Sequence, residues 1–134
     1  MDANQGLIRT EAPYFTYRAR PERVLAADTI DLVIDLGFGI AHHCRVDLWA
    51  VEAHPVQGSE ESDADIEKGR AEAKFVAEWM KIAVTEWDGT WPLAVETLRP
   101  DEGAHGPFFA TIFRRSTGRC LNDDLRVEFP DVAR

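Results

Sequence analysis

Residues 29–50 of the chain, TIDLVIDLGFGIAHHCRVDLWA, contain two runs in which apolar and polar side chains alternate. The apolar positions of the first run are Ile30, Leu32, Ile34 and Leu36, and those of the second are Cys44, Val46, Leu48 and Ala50. Alternation with a period of two is typical of a strand that buries one face. The Gly-Phe-Gly segment at residues 37–39 interrupts the pattern and predicts a turn. We therefore predict two antiparallel strands, over 29–36 and 43–50, joined by a short turn.

The pattern changes on either side of these strands. Residues 14–24, YFTYRARPERV, are aromatic and alternating, which predicts a first strand. Residues 58–67, GSEESDADIE, hold five carboxylates and predict a loop that runs into a helix N-terminus, with Ser62 or Asp63 as the cap. The helix is predicted to continue to about Ala83. Its core-facing stripe consists of Ala73, Val76, Met80 and Ala83, with Phe75 and Trp79 beside it.

The second half of the chain predicts further strands and a short helix. Residues 84–87 and 93–98 are predicted as strands on either side of a turn at Asp88-Gly89, and residues 100–107 as a loop. Residues 108–113, FFATIF, predict a buried strand, and residues 119–126 a short final helix. The resulting order is three strands, a helix, two or three strands and a short helix. An α+β fold, or a barrel with a helix, fits that order.

Length and composition are those of one globular domain. The chain has 134 residues, of which 45% are hydrophobic, and this is enough for one core. We expect residues 1–13 to be a flexible segment and residues 14–134 to form the domain. No apolar run is long enough to cross a bilayer, and no charged-then-apolar leader begins the sequence. We therefore expect a cytoplasmic protein without a membrane partner.

The charge balance bears on the partner. Only 15 Lys and Arg face 24 Asp and Glu, which gives a net charge of −9. Lys and Arg supply most of the affinity for nucleic acid, so this balance disfavours nucleic acid as a general partner, although a local basic patch remains compatible with it. Cys44 and Cys120 lack metal-binding spacing, and we expect reduced core thiols, with a disulfide as the alternative.

Five short motifs resemble, in their order, those of the staphylococcal nuclease (thermonuclease) family. They are Ala26-Ala27-Asp28-Thr29, residues 46–55 (VDLWAVEAHP), residues 68–75 (KGRAEAKF), residues 105–113 (HGPFFATIF) and residues 118–125 (GRCLNDDL). The resemblance covers residues 14–127. It implies an OB fold, in which a five-stranded barrel carries one main helix and a short C-terminal helix. The turn at residues 35–39 also resembles versions encoded by bacteriophages and actinobacteria.

Members of this family hydrolyse phosphodiesters with Ca²⁺, a water-activating Glu and two Arg. Carboxylates hold the metal, the metal polarises the phosphate, and guanidinium groups stabilise the charge of the transition state. The resemblance places the two metal-binding carboxylates at Asp28 and Glu52. If Asp47 shares their pocket, these side chains would favour Ca²⁺ or Mg²⁺, or one carboxyl pKa would rise without a metal. The alternative is that Asp28 caps a turn.

The other catalytic positions of the family are replaced. The general-base Glu falls on Pro55, which cannot transfer a proton, and the two Arg fall on Asp47 and Pro107. An Asp at position 47 would repel a phosphate instead of clamping it. Arg45 replaces the first Arg only if the alignment shifts by two residues, which moves it about 7 Å along the strand. The resemblance therefore implies that the fold is retained and that the family's reaction is lost.

Histidine, tryptophan and arginine provide the other candidate contacts. His54 and His105 fall at the two replaced motifs, which the family's geometry places near one pocket. A new acid–base or metal site there is the alternative to surface or hydrogen-bonded histidines. Trp49 follows Asp47 on the polar face of the predicted strand and is a candidate for a protein interface. A basic cluster, for the chain's own acids or for an acidic partner, consists of Arg114, Arg115, Arg119 and Arg126.

Three functions follow from these patterns. We expect a non-catalytic thermonuclease-like module that needs no cofactor and binds another protein or a copy of itself. If it is phage-encoded, assembly, a place in the virion or interference with a host factor would suit it, in the bacterial cytoplasm or in the phage particle. The alternative is a metal-dependent endonuclease or exonuclease rebuilt from Asp28, Glu52 and His54 or His105. The third is a single-strand-binding OB module without cleavage, which the net charge disfavours.

Overall fold

A five-stranded barrel with two helices forms the structure, a computed structural model that describes residues 14–58, 60–98 and 108–134. The elements are β1 (Tyr14–Ala26), β2 (Thr29–Asp35), β3 (Ala41–Leu48), α1 (Asp63–Thr85), β4 (Leu93–Leu98), β5 (Phe108–Arg114), α2 (Leu121–Glu128) and a 3₁₀ turn (Pro130–Val132). The predicted flexible segment at residues 1–13 lies outside the described residues, and so does the whole predicted loop at residues 100–107, with His105 and Pro107.

The strands follow the order β1-β2-β3-β5-β4 around the barrel, and β4 closes it by pairing with β1. Residues 14–19 of β1 pair with β4 and residues 18–26 pair with β2, so one long strand serves both neighbours. Two register shifts in its second half bend this strand around the barrel. β3 and β5 pair in parallel, over residues 46–48 and 108–110, whereas the other pairs are antiparallel. The predicted fold class, an OB-like α+β barrel, is therefore confirmed.

The alternating apolar faces of β2 and β3 form part of the barrel core. The predicted core residues on these strands that are buried are Ile30, Leu32, Ile34, Val46 and Leu48. Leu36 was predicted on the same face but is 44% exposed, because β2 ends at Asp35 and the turn begins there. Val33 is buried on the opposite face, where the register sets Arg20 and His43 beside it.

Helix α1 begins and packs as predicted but ends later. The hydroxyl of Ser62 accepts a hydrogen bond from the backbone N–H of Asp65, which makes Ser62 the N-cap. The predicted strand at residues 84–87 is wrong, because the helix continues through Thr85. The Thr85 hydroxyl donates to the Lys81 carbonyl, and the N–H of Glu86 continues the helical bonding to Ile82. Strand propensity of β-branched residues is overridden here by the preceding helix.

Helix α2 is tied to the barrel by one buried side chain. Asn122 accepts a hydrogen bond from the N–H of Ile112 and donates its amide to the carbonyls of Ala110 and Trp49. The first two partners lie on β5 and the third follows β3, so this side chain bridges the parallel pair. The helix itself covers residues 121–128, two residues later than predicted.

Candidate functional site

Two carboxylates meet where the β1–β2 turn faces the end of β3. The Thr29 hydroxyl lies 3.2 Å from Asp28 Oδ1 and 3.3 Å from Asp47 Oδ1, within hydrogen-bond distance of both. Burial raises the pKa of Asp47; the bond from Thr29 opposes this rise, and the negative charge of Asp28 adds to it. The structure therefore sets Asp28 and Asp47 beside one hydroxyl, whose single proton lies between two acceptors.

Asp28 also has a structural contact. Its Oδ2 accepts a hydrogen bond from the backbone N–H of Ala53 at 3.1 Å. This bond attaches the segment after β3 to the β1–β2 turn. Asp28 thus supports a distant segment instead of capping its own turn, which was the predicted alternative.

Glu52 does not join the carboxylate pair. Its side chain is exposed and forms an ion pair with Arg134, with Nη1 to Oε2 at 3.2 Å. Across residues 14–58, 60–98 and 108–134, no group of three or more His, Cys, Asp or Glu side chains has the arrangement to hold a metal ion. Among the described residues, Asp28 and Asp47 are therefore the carboxylates that could contact a cation at this point.

A buried carboxylate orients the histidine next to this segment. Glu72, on α1, is 2% exposed, and its oxygens lie 2.8 Å from the backbone N of His54 and 2.6 Å from His54 Nδ1. An ionised carboxylate only accepts hydrogen bonds, so Nδ1 carries a proton beside it. In the neutral ring Nε2 is then left as an acceptor, and the His54 side chain is partly exposed.

Glu72 was not predicted as a functional residue, although its spacing along the helix gave a signal. Gly69, Glu72 and Val76 are spaced three and four apart on the buried face of α1. Gly69 permits a close backbone approach: a Cβ built at this position would lie 2.0 Å from the carbonyl oxygen of Pro55. Pro55 therefore packs on the helix. Because Glu72 shares the buried helix face with Gly69, the sequence could have indicated a buried carboxylate that bonds His54.

The other predicted contacts occupy two different environments. Trp49 lies just beyond β3, is 44% exposed and meets Phe109 edge to face at 5.6 Å. Arg114 is buried and its guanidinium lies 4.4 Å from the centroid of the Trp79 ring, so it is not a surface contact. Arg115 is exposed and stacks on the ring of Trp87. The ion pairs of the remaining cluster are Arg119 with Asp124 and Arg126 with Asp123.

The predicted turn between β2 and β3 has a backbone conformation that its sequence did not indicate. Gly37, Phe38 and Gly39 all have positive φ, at 82°, 56° and 73°. Three hydrogen bonds fix the turn: Leu36 N to Ile40 O, Ile40 N to Gly37 O, and Gly37 N to Asp35 Oδ1. Phe38 is fully exposed, and Leu36 and Ile40 beside it are also exposed. We call Leu36, Phe38 and Ile40 the apolar tip.

No family model matches the chain, and no curated protein matches it. Neither helix in the described part of the chain combines the length and the apolar character that a membrane crossing requires.

The two cysteines, Cys44 and Cys120, are free thiols, and burial raises the pKa of each.

Proposed function

We propose that this chain is a catalytically degenerate, thermonuclease-like OB module that acts by binding another protein. The observation that carries the proposal is Phe38, a fully exposed aromatic side chain at the apex of a hydrogen-bonded turn. Aromatic side chains that enter a partner's pocket supply much of the energy of protein interfaces.

The backbone of the turn argues for a role beyond connection. Phe38 occupies the left-handed region at φ 56°, where a side chain with a Cβ costs roughly 1–2 kcal/mol. A glycine or asparagine at the apex would relieve this cost. Backbone strain and exposed apolar surface together are typical of a contact site, and not of a turn that only connects two strands. The fixed turn also reduces the entropy lost when it docks.

The charges favour a protein partner over nucleic acid. Two arginines beside β2 are already paired within the chain: Arg18 with Asp35, and Arg45 with Asp31, where Nε and Oδ1 are 2.8 Å apart. The hydrogen bond from Arg45 holds the pKa of Asp31 below its ordinary range. A guanidinium held by a carboxylate is less available to a phosphate, and the net charge of −9 acts in the same direction.

The test compares two exposed phenylalanines. Wild type, Phe38→Ser and the matched control Phe15→Ser are used as baits in the cells that produce the protein, and captured chains are quantified by mass spectrometry. We expect a partner whose yield falls at least tenfold with Phe38→Ser and stays unchanged with Phe15→Ser. Equal capture by Phe38→Ser and wild type would reject the apolar tip as the contact.

A second candidate function is the rebuilt metal-dependent nuclease. The observation that favours it is the pair of Asp28 and Asp47, together with His54 held by the buried Glu72. Two carboxylates could bind Ca²⁺ or Mg²⁺, and a positioned imidazole could accept a proton from water. Incubation with single-stranded DNA and RNA in Ca²⁺, Mg²⁺ or Mn²⁺ tests it. Cleavage by wild type that disappears in Asp28→Ala would establish the enzyme; no cleavage in any metal would remove it.

A further inference from the structure

A groove of about 360 Å³ separates α1 from α2, far along the chain from the apolar tip. Its apolar lining includes Trp79 and Ile82 of α1 and Val127 of α2, and Val127 is 80% exposed. Arg114, from the end of β5, and Arg119 contribute guanidinium groups. The groove shares no residue with the tip, so an inference about it stands independently of the proposed function.

Arg114 is a buried cation with few partners. The residue is 8% exposed, and its Nη2 donates one hydrogen bond, 3.3 Å long, to the carbonyl of Trp79. No acceptor among the described residues bonds its Nε, and none of their carboxylates forms an ion pair with it. A guanidinium has five N–H donors, and burying a charge costs free energy unless it is paired. Its buried Nε–H is therefore left without an acceptor in the described part of the chain.

The nearest acid in the groove is already occupied. Asp124 accepts hydrogen bonds from Trp79 Nε1 at 2.9 Å and from Arg119 Nε and Nη2 at 3.0 and 2.9 Å. Burial alone would raise the pKa of Asp124, but these bonds and the charges of Arg119 and Arg114 lower it overall. Asp124 forms its direct ion pair with Arg119, and it acts on Arg114 only through its charge, so the Nε–H of Arg114 still lacks an acceptor among the described residues.

We propose that this groove binds the C-terminal carboxylate of a peptide whose last residue is apolar. A carboxylate matches the guanidinium of Arg114 in charge and in geometry. The last side chain would lie on Ile82 and Val127, whose exposed apolar surface it would cover. One ligand group thereby completes the bonding of the buried cation, and another buries the apolar lining.

The rim of the groove narrows the class of ligand. Glu78 and Glu128 also line it and are exposed, so with Asp124 three carboxylates surround two guanidinium groups. This balance disfavours a doubly charged phosphate more than a singly charged carboxylate, and the exposed Glu78 and Glu128 favour basic residues that precede the carboxylate. The groove is open between the helices, which suits an extended chain end rather than an enclosed small molecule.

The first experiment varies the ligand. The peptide Lys-Lys-Gly-Ala-Leu with a free C-terminus, its C-terminal amide and N-acetyl-leucine are titrated into ¹⁵N-labelled protein, and affinities are measured by calorimetry. We expect the free acid to shift the Trp79 Nε1–H and Arg114 Nε–H signals and to bind at least tenfold more tightly than the other two. Equal affinity of acid and amide would overturn the carboxylate site; equal affinity of N-acetyl-leucine would overturn the peptide assignment.

The second experiment varies the protein at an exposed position, so that folding is preserved. Val127→Glu places a carboxylate in the groove, and Val84→Glu, on an exposed position of α1 outside it, is the matched control. We expect at least a tenfold loss of affinity with Val127→Glu and no change with Val84→Glu, at equal urea midpoints. Wild-type affinity in Val127→Glu, or equal losses in both variants, would reject the groove as the site.

Discussion

The polar cluster around Asp28 and the apolar tip differ in where their interactions are directed. In the cluster, the chain satisfies its own groups: Asp28 accepts from Ala53, and Glu72 binds His54. At the tip, the backbone is fully bonded while Phe38 is left in solvent. The difference teaches that the polar side chains around Asp28 act as internal support, whereas the turn presents a fully exposed aromatic side chain.

Glu72→Ala tests the cluster most severely. We expect the free energy of unfolding to fall by about 2–4 kcal/mol, because the N–H of His54 and its ring lose a buried acceptor. Urea denaturation measures this loss. Glu78→Ala, on the exposed face of the same helix, should stay within about 0.5 kcal/mol of wild type. Similar values for both variants would show that the cluster does not support the fold.

Gly69→Ala tests the contact between the helix and the segment after β3. Alanine normally favours a helix over glycine by about 1 kcal/mol. Here we expect destabilisation by about 1–3 kcal/mol, because the added methyl group meets the backbone of Pro55. The measurement is the thermal midpoint. Lys74→Ala, an exposed helix position, should leave it unchanged, and a stabilised Gly69→Ala would contradict the close approach.

Phe38→Asn separates stability from binding at the tip. Asparagine tolerates the left-handed backbone, so we expect the free energy of unfolding to rise by about 0.5–1 kcal/mol. Capture of the partner should fall at least tenfold in the same variant. Chemical denaturation and the bait experiment give the two values. Stability and binding that decrease together would indicate that Phe38 supports the fold, and the contrast between the two regions would then disappear.

Asp47→Asn gives the smallest expected effect and has a defined pH dependence. The folded state raises the pKa of Asp47 through burial, so the ionised carboxyl disfavours folding at neutral pH. Removing the charge should stabilise the protein by roughly 0.5 kcal/mol at pH 7. The gain should vanish as the pH falls below the ordinary aspartate pKa, where the wild-type carboxyl is neutral in both states. A gain that is independent of pH would contradict this origin.

The sequence predicted the barrel well because the strands alternate strictly. Ile30, Leu32 and Val46 occupy the core as their spacing requires, and Ser62 caps the helix as expected. The strand predicted at residues 84–87 failed because local propensity does not register how far a helix continues. The first of these results depends on period alone, whereas the second depends on the hydrogen bonds that continue the preceding helix.

The site was predictable in part. The resemblance grouped Asp28 with Glu52, and with Asp47 only if that side chain shared their pocket; the structure sets Asp28 beside Asp47, whereas Glu52 pairs with Arg134. The partner of His54 is 18 positions away on a helix, a distance that no local pattern encodes. Phe38 was treated as part of a turn between glycines, since its exposure depends on backbone angles that the sequence does not state.

Asn122 has a consequence for synthesis of the chain. Its side-chain amide donates hydrogen bonds to the carbonyls of Trp49 and Ala110, across the parallel pair of β3 and β5. The barrel therefore lacks these hydrogen bonds until residue 122 has left the ribosome. Before then, the short parallel pairing of β3 and β5 lacks this support, and strands that separate there become edges that can pair with other chains. A chain that stops before α2 should therefore aggregate more during production than the full chain. The last helix thus helps to keep two sheet edges covered.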